Sequence, residues 1–189
     1  MKRLLLLVMT LVAICGAQAQ QPVYVYGVDY AQTKVFGASE SASEFVSAFA
    51  GINNLLYGEA EKYDFSKVLG TTNYEIYHDV MIQRLQQSDF SNLFARTRAI
   101  PVLDVPQIIA TYQLPHQEGV GFVMIARMLN KSDNQGSYYA VLFDVASRKV
   151  LMQIELTTKS RGFGLRNFWA YTVYNAIKQL RMNIPTSGQ

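Results

Sequence analysis

The alternation of apolar and polar residues predicts one strand near the amino terminus and a set of strands near the carboxyl terminus. Residues 23–29 are apolar or aromatic on both alternating faces, a pattern typical of an interior strand that is covered on both sides. Residues 33–37 extend this strand or form a short irregular one. Asp29, at the end of the first segment, is interpreted as a turn former, with a role in a functional site as the alternative.

Helical periodicity fills the middle of the chain. Apolar residues recur every three or four positions along one stripe, which consists of Phe45, Phe49, Ile52, Leu56, Ala60 and Tyr63. This spacing predicts an amphipathic helix, for which the serines and glutamates of residues 39–44 offer an N-cap. Asn53 and Asn54 fall inside the helix, where no helix preference favours asparagine. We also predict a helix over 73–87, an edge strand over 99–103 and a short helix over 107–112.

The pattern after residue 118 predicts three strands and a closing helix. Strand-like segments at 119–129, 137–145 and 149–158 are joined by short polar turns, which favours an antiparallel meander. An apolar stripe then predicts a final helix over 165–181. The predicted fold class is α+β, with helices packed on a mixed sheet that contains the C-terminal antiparallel three-strand meander followed by the closing helix. One domain is expected over 20–189.

Residues 1–19 have the pattern of a signal peptide. Lys2 and Arg3 precede an almost wholly apolar run over 4–14, and residues 17–19 supply the small-x-small pattern that signal peptidase recognises. The run is too short for a transmembrane helix, which needs roughly 20 apolar residues. We therefore predict export to the periplasm or the extracellular space, with a mature chain that begins at Gln20.

Cys15, the only cysteine of the chain, lies inside this segment. A mature chain without cysteine forms no disulfide and offers no thiolate to a metal ion. A lipid-modified Cys15 is the alternative, but Ile14 is bulky at a position where lipoprotein signals have a small residue.

Removal of the signal segment leaves the predicted mature chain nearly neutral. The formal net charge of +3 falls to +1 when Lys2 and Arg3 are removed. Nucleic-acid binding needs concentrated positive charge, so we expect no nucleic-acid partner. The mature chain has no apolar run long enough to span a bilayer. Every aromatic residue follows the signal segment and supplies material for one hydrophobic core.

A basic, glycine-rich loop before the final helix is the best candidate for binding chemistry. Its candidate site residues are Lys159, Arg161, Gly162, Gly164, Arg166 and Asn167. Glycine lets backbone N–H groups approach a ligand, a helix N-terminus carries partial positive charge, and arginine chelates phosphate or carboxylate. We therefore predict a site for an anion or a partner peptide. The alternative is structural: the glycines turn the chain, Phe163 fills an apolar gap, and Arg166 and Asn167 brace neighbouring segments.

Sequence motifs of catalysis or metal binding are not found. The chain has no nucleophile elbow, no cysteine nucleophile after the signal segment and no histidine-rich metal motif. His78 and Asp79 are adjacent, and adjacent helical residues point about 100° apart, so they do not readily share a metal ion. His78 is interpreted as a surface histidine. We predict no catalytic residue, no metal site and no cofactor.

Several short segments carry a resemblance to a known family. They are Tyr26-Gly27-Val28-Asp29, Ile52-Asn53-Asn54-Leu55-Leu56, Lys62-Tyr63-Asp64-Phe65, Val141-Leu142-Phe143-Asp144 and Gly162-Phe163-Gly164-Leu165-Arg166-Asn167-Phe168-Trp169. In these segments the chain resembles a family of small secreted bacterial envelope proteins without an assigned function, and the likeness covers most of the mature chain. Because the family has no known activity, the resemblance implies no catalytic residues.

The order of elements is also similar, more distantly, to that of two periplasmic α/β domains. These belong to the curli-secretion lipoprotein and to the amino-terminal part of the Tol-system propeller protein. The similarity implies a layer of helices on a mixed sheet and a role in envelope assembly or interaction.

These observations together predict an exported, soluble binding or envelope-assembly module. Its expected partner is an envelope protein or a small anionic ligand. One alternative is a hydrolase of envelope polymers, with an active site built from dispersed residues such as Asp29, His116 or Asp144. Another is a structural subunit that self-associates through exposed tyrosines.

Overall fold

The computed structural model describes residues 21–182 and residue 184. The predicted signal segment over 1–19 and Cys15 lie outside the described residues. The strands are β1 (Val23–Asp29), β2 (Lys34–Phe36), β3 (Glu75–Ile76), β4 (Val120–Asn130), β5 (Gln135–Asp144) and β6 (Val150–Lys159). The helices are α1 (Ala42–Gly58), α2 (Ser66–Leu69), α3 (Asp79–Gln87), α4 (Val105–Ala110) and α5 (Leu165–Gln179). None of these described helices is long and apolar enough to cross a membrane.

All the described strands belong to one mixed sheet. The strand order is β3-β1-β4-β5-β6, and β2 pairs with β4 beyond the stretch that pairs with β1. β1 is parallel to both β3 and β4, whereas β4, β5 and β6 form an antiparallel meander. β1 therefore has a neighbour on each side, as predicted for an interior strand. The sheet and its closing helix α5 confirm the predicted α+β class.

Helices cover both faces of the sheet. On one face, α1 and α5 form the larger hydrophobic core, in which the stripe of α1 is buried up to Leu56 and Trp169 of α5 is completely buried. On the other face, α3 and α4 form a second core that includes Met81, Ile109 and Phe143. Because both faces are covered, β4 is buried at every position.

Side-chain caps fix where two of the helices begin. Ser41 and Glu44 form a capping box at the start of α1, in which the Glu44 carboxylate accepts a hydrogen bond from the Ser41 N–H at 2.7 Å. Asp104 caps α4 by accepting a hydrogen bond from the N–H of Gln107 at 3.1 Å. α1 ends at Gly58, so the predicted stripe continues past the helix itself.

The helix predicted over 73–87 begins only at Asp79, so its predicted start is wrong. Glu75 and Ile76 instead form β3, which pairs with Tyr24 and Val25 of β1. Without β3, the outer edge of β1 would lack hydrogen-bond partners for its backbone. An unpaired buried backbone group costs more free energy than one extra helical turn supplies.

The edge strand predicted over 99–103 is also wrong, because this segment is irregular. The C=O of Pro101 accepts a hydrogen bond from Nε of Arg127 at 2.9 Å. Arg127 is only 3% exposed, and its guanidinium also pairs with Glu155 and lies 4.1 Å from the ring centre of Tyr139. A buried guanidinium needs acceptors, and the irregular segment supplies one of them.

Asn53 has a structural role that the sequence pattern did not indicate. β1 shifts register between Val25 and Gly27, and Gly27 has φ of 101°. Beside this bulge, the buried Asn53 side chain accepts a hydrogen bond from the Val28 N–H at 2.8 Å and donates one to the Val28 C=O at 3.0 Å. A Cβ at position 27 would lie 2.4 Å from Oδ1 of Asn53. Asn53 therefore joins α1 to the bulge of β1.

Candidate functional site

The glycine-rich loop makes two left-handed turns between β6 and α5. Gly162 has φ of 115° and Gly164 has φ of 75°, conformations that favour glycine. Gly164 occupies the N-cap position of α5, where no side chain caps the helix. Phe163 lies between these glycines and is 96% exposed. The glycines therefore turn the chain as the structural alternative expected, but the expectation that Phe163 fills an apolar gap is wrong.

A groove lies where this loop faces the end of α1. We call it the cationic groove; it has a volume of about 530 Å³ and is lined by Leu55, Glu59, Lys62, Tyr63, Arg161, Gly162, Arg166, Asn167, Ala170, Tyr171 and Tyr174. Four of the candidate residues thus meet in one groove: Arg161, Gly162, Arg166 and Asn167. The remaining two, Lys159 and Gly164, do not line it.

Lys159 connects the end of β6 to neighbouring segments. Its Nζ donates a hydrogen bond to the C=O of Asp133 at 3.1 Å, and its own C=O accepts one from Nδ2 of Asn175 at 2.9 Å. These contacts give Lys159 a structural role outside the groove.

Along one wall of the cationic groove, three tyrosine rings form a row with a cation at each end. The guanidinium carbon of Arg161 lies 4.3 Å from the ring centre of Tyr171, a cation–π contact. The ring of Tyr171 is 5.9 Å from that of Tyr174, which meets the edge of Tyr63 at 6.1 Å. Nζ of Lys62 lies 5.1 Å from the ring centre of Tyr63. Flat aromatic faces and positive charge are therefore presented side by side.

The charges that line the cationic groove leave it net positive. Nζ of Lys62 lies 2.7 Å from the Glu59 carboxylate, and this hydrogen bond raises the pKa of the Lys62 ammonium group. Within residues 21–182, neither Arg161 nor Arg166 forms a salt bridge. Three cations therefore face one carboxylate, which is already paired.

Arg166 lies across α1 at a position where α1 has a glycine. A Cβ added to Gly51 would lie 2.7 Å from Cδ of Arg166, so the small residue makes room for the arginine stem. Nε of Arg166 donates a hydrogen bond to Oδ1 of Asn167 at 3.1 Å. The contact at Gly51 braces the start of α5 against α1, and the Arg166 side chain also lines the cationic groove.

The tyrosines and Lys62 of the cationic groove lie on separate segments of the chain, so their grouping could not be predicted from local patterns. Lys62 and Tyr63 follow α1, whereas Tyr171 and Tyr174 lie one turn apart on α5. Only the packing of α1 against α5 brings them together. The spacing of Tyr171 and Tyr174 was the one usable sign, because residues three apart share a helix face.

Asp29 is part of a buried ion pair. Its Oδ2 accepts hydrogen bonds from Nε of Arg84 at 2.8 Å and from the Tyr112 hydroxyl at 2.9 Å. Its Oδ1 accepts from the N–H of Ala31 at 2.8 Å, and Asp29 is 3% exposed. Burial, together with the Asp29 charge, holds the pKa of Tyr112 well above its usual value. The carboxylate therefore holds α3 and the segment after α4 against the end of β1.

His116 lies in a cluster of tyrosines. Its Nδ1 is 3.0 Å from the Tyr26 hydroxyl, its ring stacks on Tyr24 with centres 3.5 Å apart, and the edge of Tyr77 lies 4.8 Å away. Burial lowers the pKa of His116, and the charge of Glu75 partly opposes this. The ring is thus enclosed by aromatic neighbours.

Asp144 lies in a turn at the other end of the sheet from Asp29. It accepts hydrogen bonds from the N–H and Oγ of Ser147 at 2.7 and 2.6 Å. Asp144 is opposite Val120, which pairs with Val23 at the start of β1. At about 3.3 Å per residue, Asp29 at the end of β1 is roughly 20 Å away. The carboxylates named for a hydrolase are therefore far apart.

His78 is not a surface histidine, because its side chain is only 16% exposed. Its ring stacks on Tyr57 with centres 5.0 Å apart, and its Nε2 lies 3.9 Å from the Asp79 carboxylate. Over residues 21–182, no group of three histidine, cysteine or acidic side chains is arranged to hold a metal ion.

A second groove lies on the other side of the segment that follows α1. We call it the acidic groove; it has a volume of about 680 Å³ and is lined by Tyr57, Ala60, Asp64, Ser66, Thr72, Tyr74, Glu75 and Ile76. Asp64 accepts hydrogen bonds from the N–H and Oγ of Ser66, both at 2.8 Å. These bonds hold the pKa of Asp64 below its usual range. The acidic groove is therefore lined by tyrosines, like the cationic groove, but its charged side chains are negative.

No protein-family model matches the chain, and no curated protein matches it. The two grooves are therefore the features of the molecule that bear on its function.

Proposed function

We propose that the protein is an exported binding module that takes an anionic ligand with a ring in the cationic groove. The observation that carries this proposal is the convergence of Lys62, Arg161 and Arg166 on a groove walled by tyrosine rings. Its volume of about 530 Å³ is within the range of about 300–1,000 Å³ that is typical of small-molecule sites.

The two kinds of lining residue select for two features of a ligand. A guanidinium such as that of Arg161 or Arg166 pairs with carboxylate or phosphate through parallel hydrogen bonds. The faces of Tyr171 and Tyr174 offer apolar surface against which a ring of the ligand can pack. Uronic-acid sugars carry both a carboxylate and a ring, and they occur in polymers outside cells. An anionic oligosaccharide of this class is therefore the ligand that we propose.

The binding test uses the chain from Gln20 onward and isothermal titration calorimetry. The probe is a galacturonic acid tetramer, compared with a neutral galactose tetramer and with inorganic phosphate. We expect the acidic tetramer to bind more tightly than either comparison ligand, because only it satisfies both the cations and the rings. Failure of the acidic tetramer to bind would remove the ligand class from the proposal.

Substitutions in the loop locate the binding. Arg161→Ala and Arg166→Ala should each weaken binding roughly 10- to 100-fold, since a hydrogen bond to a charged group contributes about 1.5–3 kcal/mol. Lys159→Ala is the matched control, because it removes the same charge from the same loop outside the cationic groove. Equal losses in all three variants would indicate long-range attraction and contradict a site in the groove.

Export to the envelope is part of the same proposal. It is supported by the signal-peptide pattern of residues 1–19 and by the resemblance to secreted envelope proteins. Cell fractionation followed by mass spectrometry should find a protein that begins at Gln20 outside the cytoplasm. An intact amino terminus in the cytoplasmic fraction would contradict export.

A further inference from the structure

The loop between β6 and α5 carries an exposed aromatic side chain, that of Phe163, which we call the Phe163 knob. Phe163 is 96% exposed, and the left-handed turns at Gly162 and Gly164 hold it between them. A wholly exposed phenylalanine is unusual, because burial of its ring is strongly favourable. Arg161 precedes the knob, Arg166 lies in the first turn of α5, and both line the neighbouring cationic groove, so positive charge lies at the base of the apolar tip.

The acidic groove has the complementary character. Its walls include Tyr57, which is 62% exposed, together with Tyr74 and Ile76. Its carboxylates are those of Asp64 and Glu75. Within residues 21–182, Glu75 has no salt bridge, so its charge is available to a partner. A basic, aromatic knob matches such a groove in polarity and charge.

We propose that the Phe163 knob of one copy of this chain inserts into the acidic groove of a second copy. The ring of Phe163 would lie against Tyr57 and Tyr74, and the cations at its base would face Glu75. The two features are neighbours on the molecule, because residues 57–66 line the acidic groove on one side and the cationic groove on the other. In a symmetric dimer, each copy would place its knob in the acidic groove of the other.

A second copy fits better than a membrane surface. A bilayer is attracted by many uncommitted cations, whereas the predicted mature chain carries a net charge of only +1. The acidic groove, by contrast, supplies both an aromatic wall and the opposite charge on the same protein.

The first test is the mass of the chain from Gln20 onward, measured by sedimentation over a wide concentration range. We expect reversible association. Phe163→Ala should weaken it roughly 10- to 100-fold, the effect of exposing one buried phenylalanine ring at the interface, and Glu75→Lys should also weaken it. Val102→Ala changes another exposed apolar residue, and Glu61→Lys makes the same charge change outside the groove. Neither control should alter the mass.

A mixing experiment distinguishes knob-in-groove contact from other association. Phe163→Asp disables the knob, and Glu75→Lys disables the groove, so each variant should be monomeric alone. Their mixture retains one intact knob and one intact groove, and it should form mixed dimers that are weaker than the wild-type ones. Circular dichroism checks that both variants are folded.

Three results would overturn the proposal. They are a wild-type protein that stays monomeric, a Phe163→Asp variant that associates normally, and a mixture that stays monomeric. Binding to vesicles with anionic lipid that is lost in Phe163→Ala, with a monomeric wild type, would assign the knob to a membrane instead. Neither Phe163 nor Glu75 lines the cationic groove, so this proposal and the ligand proposal can fail independently.

Discussion

Replacement of Asn53 by alanine should destabilise the protein by about 2–3 kcal/mol. The Val28 N–H loses its acceptor, and a buried donor without a partner costs about 1–3 kcal/mol. Loss of the second hydrogen bond, to the Val28 C=O, adds about 1 kcal/mol. Alanine recovers roughly 0.5 kcal/mol through its higher helix propensity. For a domain of this size the net loss lowers the melting temperature by roughly 5–10 °C.

The assay is urea and thermal unfolding of the chain from Gln20 onward. Asn54→Ala is the matched control, because it makes the same change one residue away on the exposed side of α1, and it should leave stability unchanged or slightly higher. Asn53→Leu fills the space without restoring the hydrogen bonds, so it should remain destabilised. A loss below about 1 kcal/mol in Asn53→Ala, or full recovery in Asn53→Leu, would refute the role assigned to these hydrogen bonds.

Two further predictions concern the same region of the sheet. Gly27→Ala should destabilise the protein by more than about 1 kcal/mol in thermal unfolding, because the new side chain would have a left-handed backbone conformation and would lie against Oδ1 of Asn53. Gly58→Ala is the control. A Cβ at position 58 has open space around it, so this variant should be neutral or stabilising. Because burial lowers the pKa of His116, the unfolded chain binds a proton more readily than the folded one. Stability should therefore fall as pH drops from the ordinary histidine pKa through the lower folded value. His116→Gln should flatten this part of a melting-temperature profile, and an unchanged slope would contradict the assignment.

Most of the fold could be predicted because its elements carry their own periodic patterns. The stripe of α1 and the three strands of the meander are long enough for spacing alone to identify them. β3 has only two residues, too few for any period, and it exists because β1 has a free edge to pair. Arg127 likewise fixes the segment around Pro101 through a contact between distant parts of the chain. Such elements are determined by tertiary pairing and not by local preference.

The candidate site was predictable only in part for a similar reason. Arg161 and Arg166 could be recognised because glycines and cations are clustered within one loop. Tyr63 and Tyr174 come from opposite halves of the chain and meet only when α5 packs on α1. The exposure of Phe163 had no sequence signal at all, since an aromatic residue in a loop is more often buried.

The position of β1 has a consequence for how the chain is made. β1 is the first strand in sequence, yet it lies inside the sheet between β3 and β4. During synthesis from the amino terminus, the edge of β1 that faces β4 lacks its hydrogen-bond partners until residues 120–125 have emerged. Closure of such long-range parallel pairing is slow. The nascent chain therefore has a prolonged stage in which β1 is incompletely paired and its apolar side chains are exposed. Chaperone binding at this stage would protect the chain from aggregation.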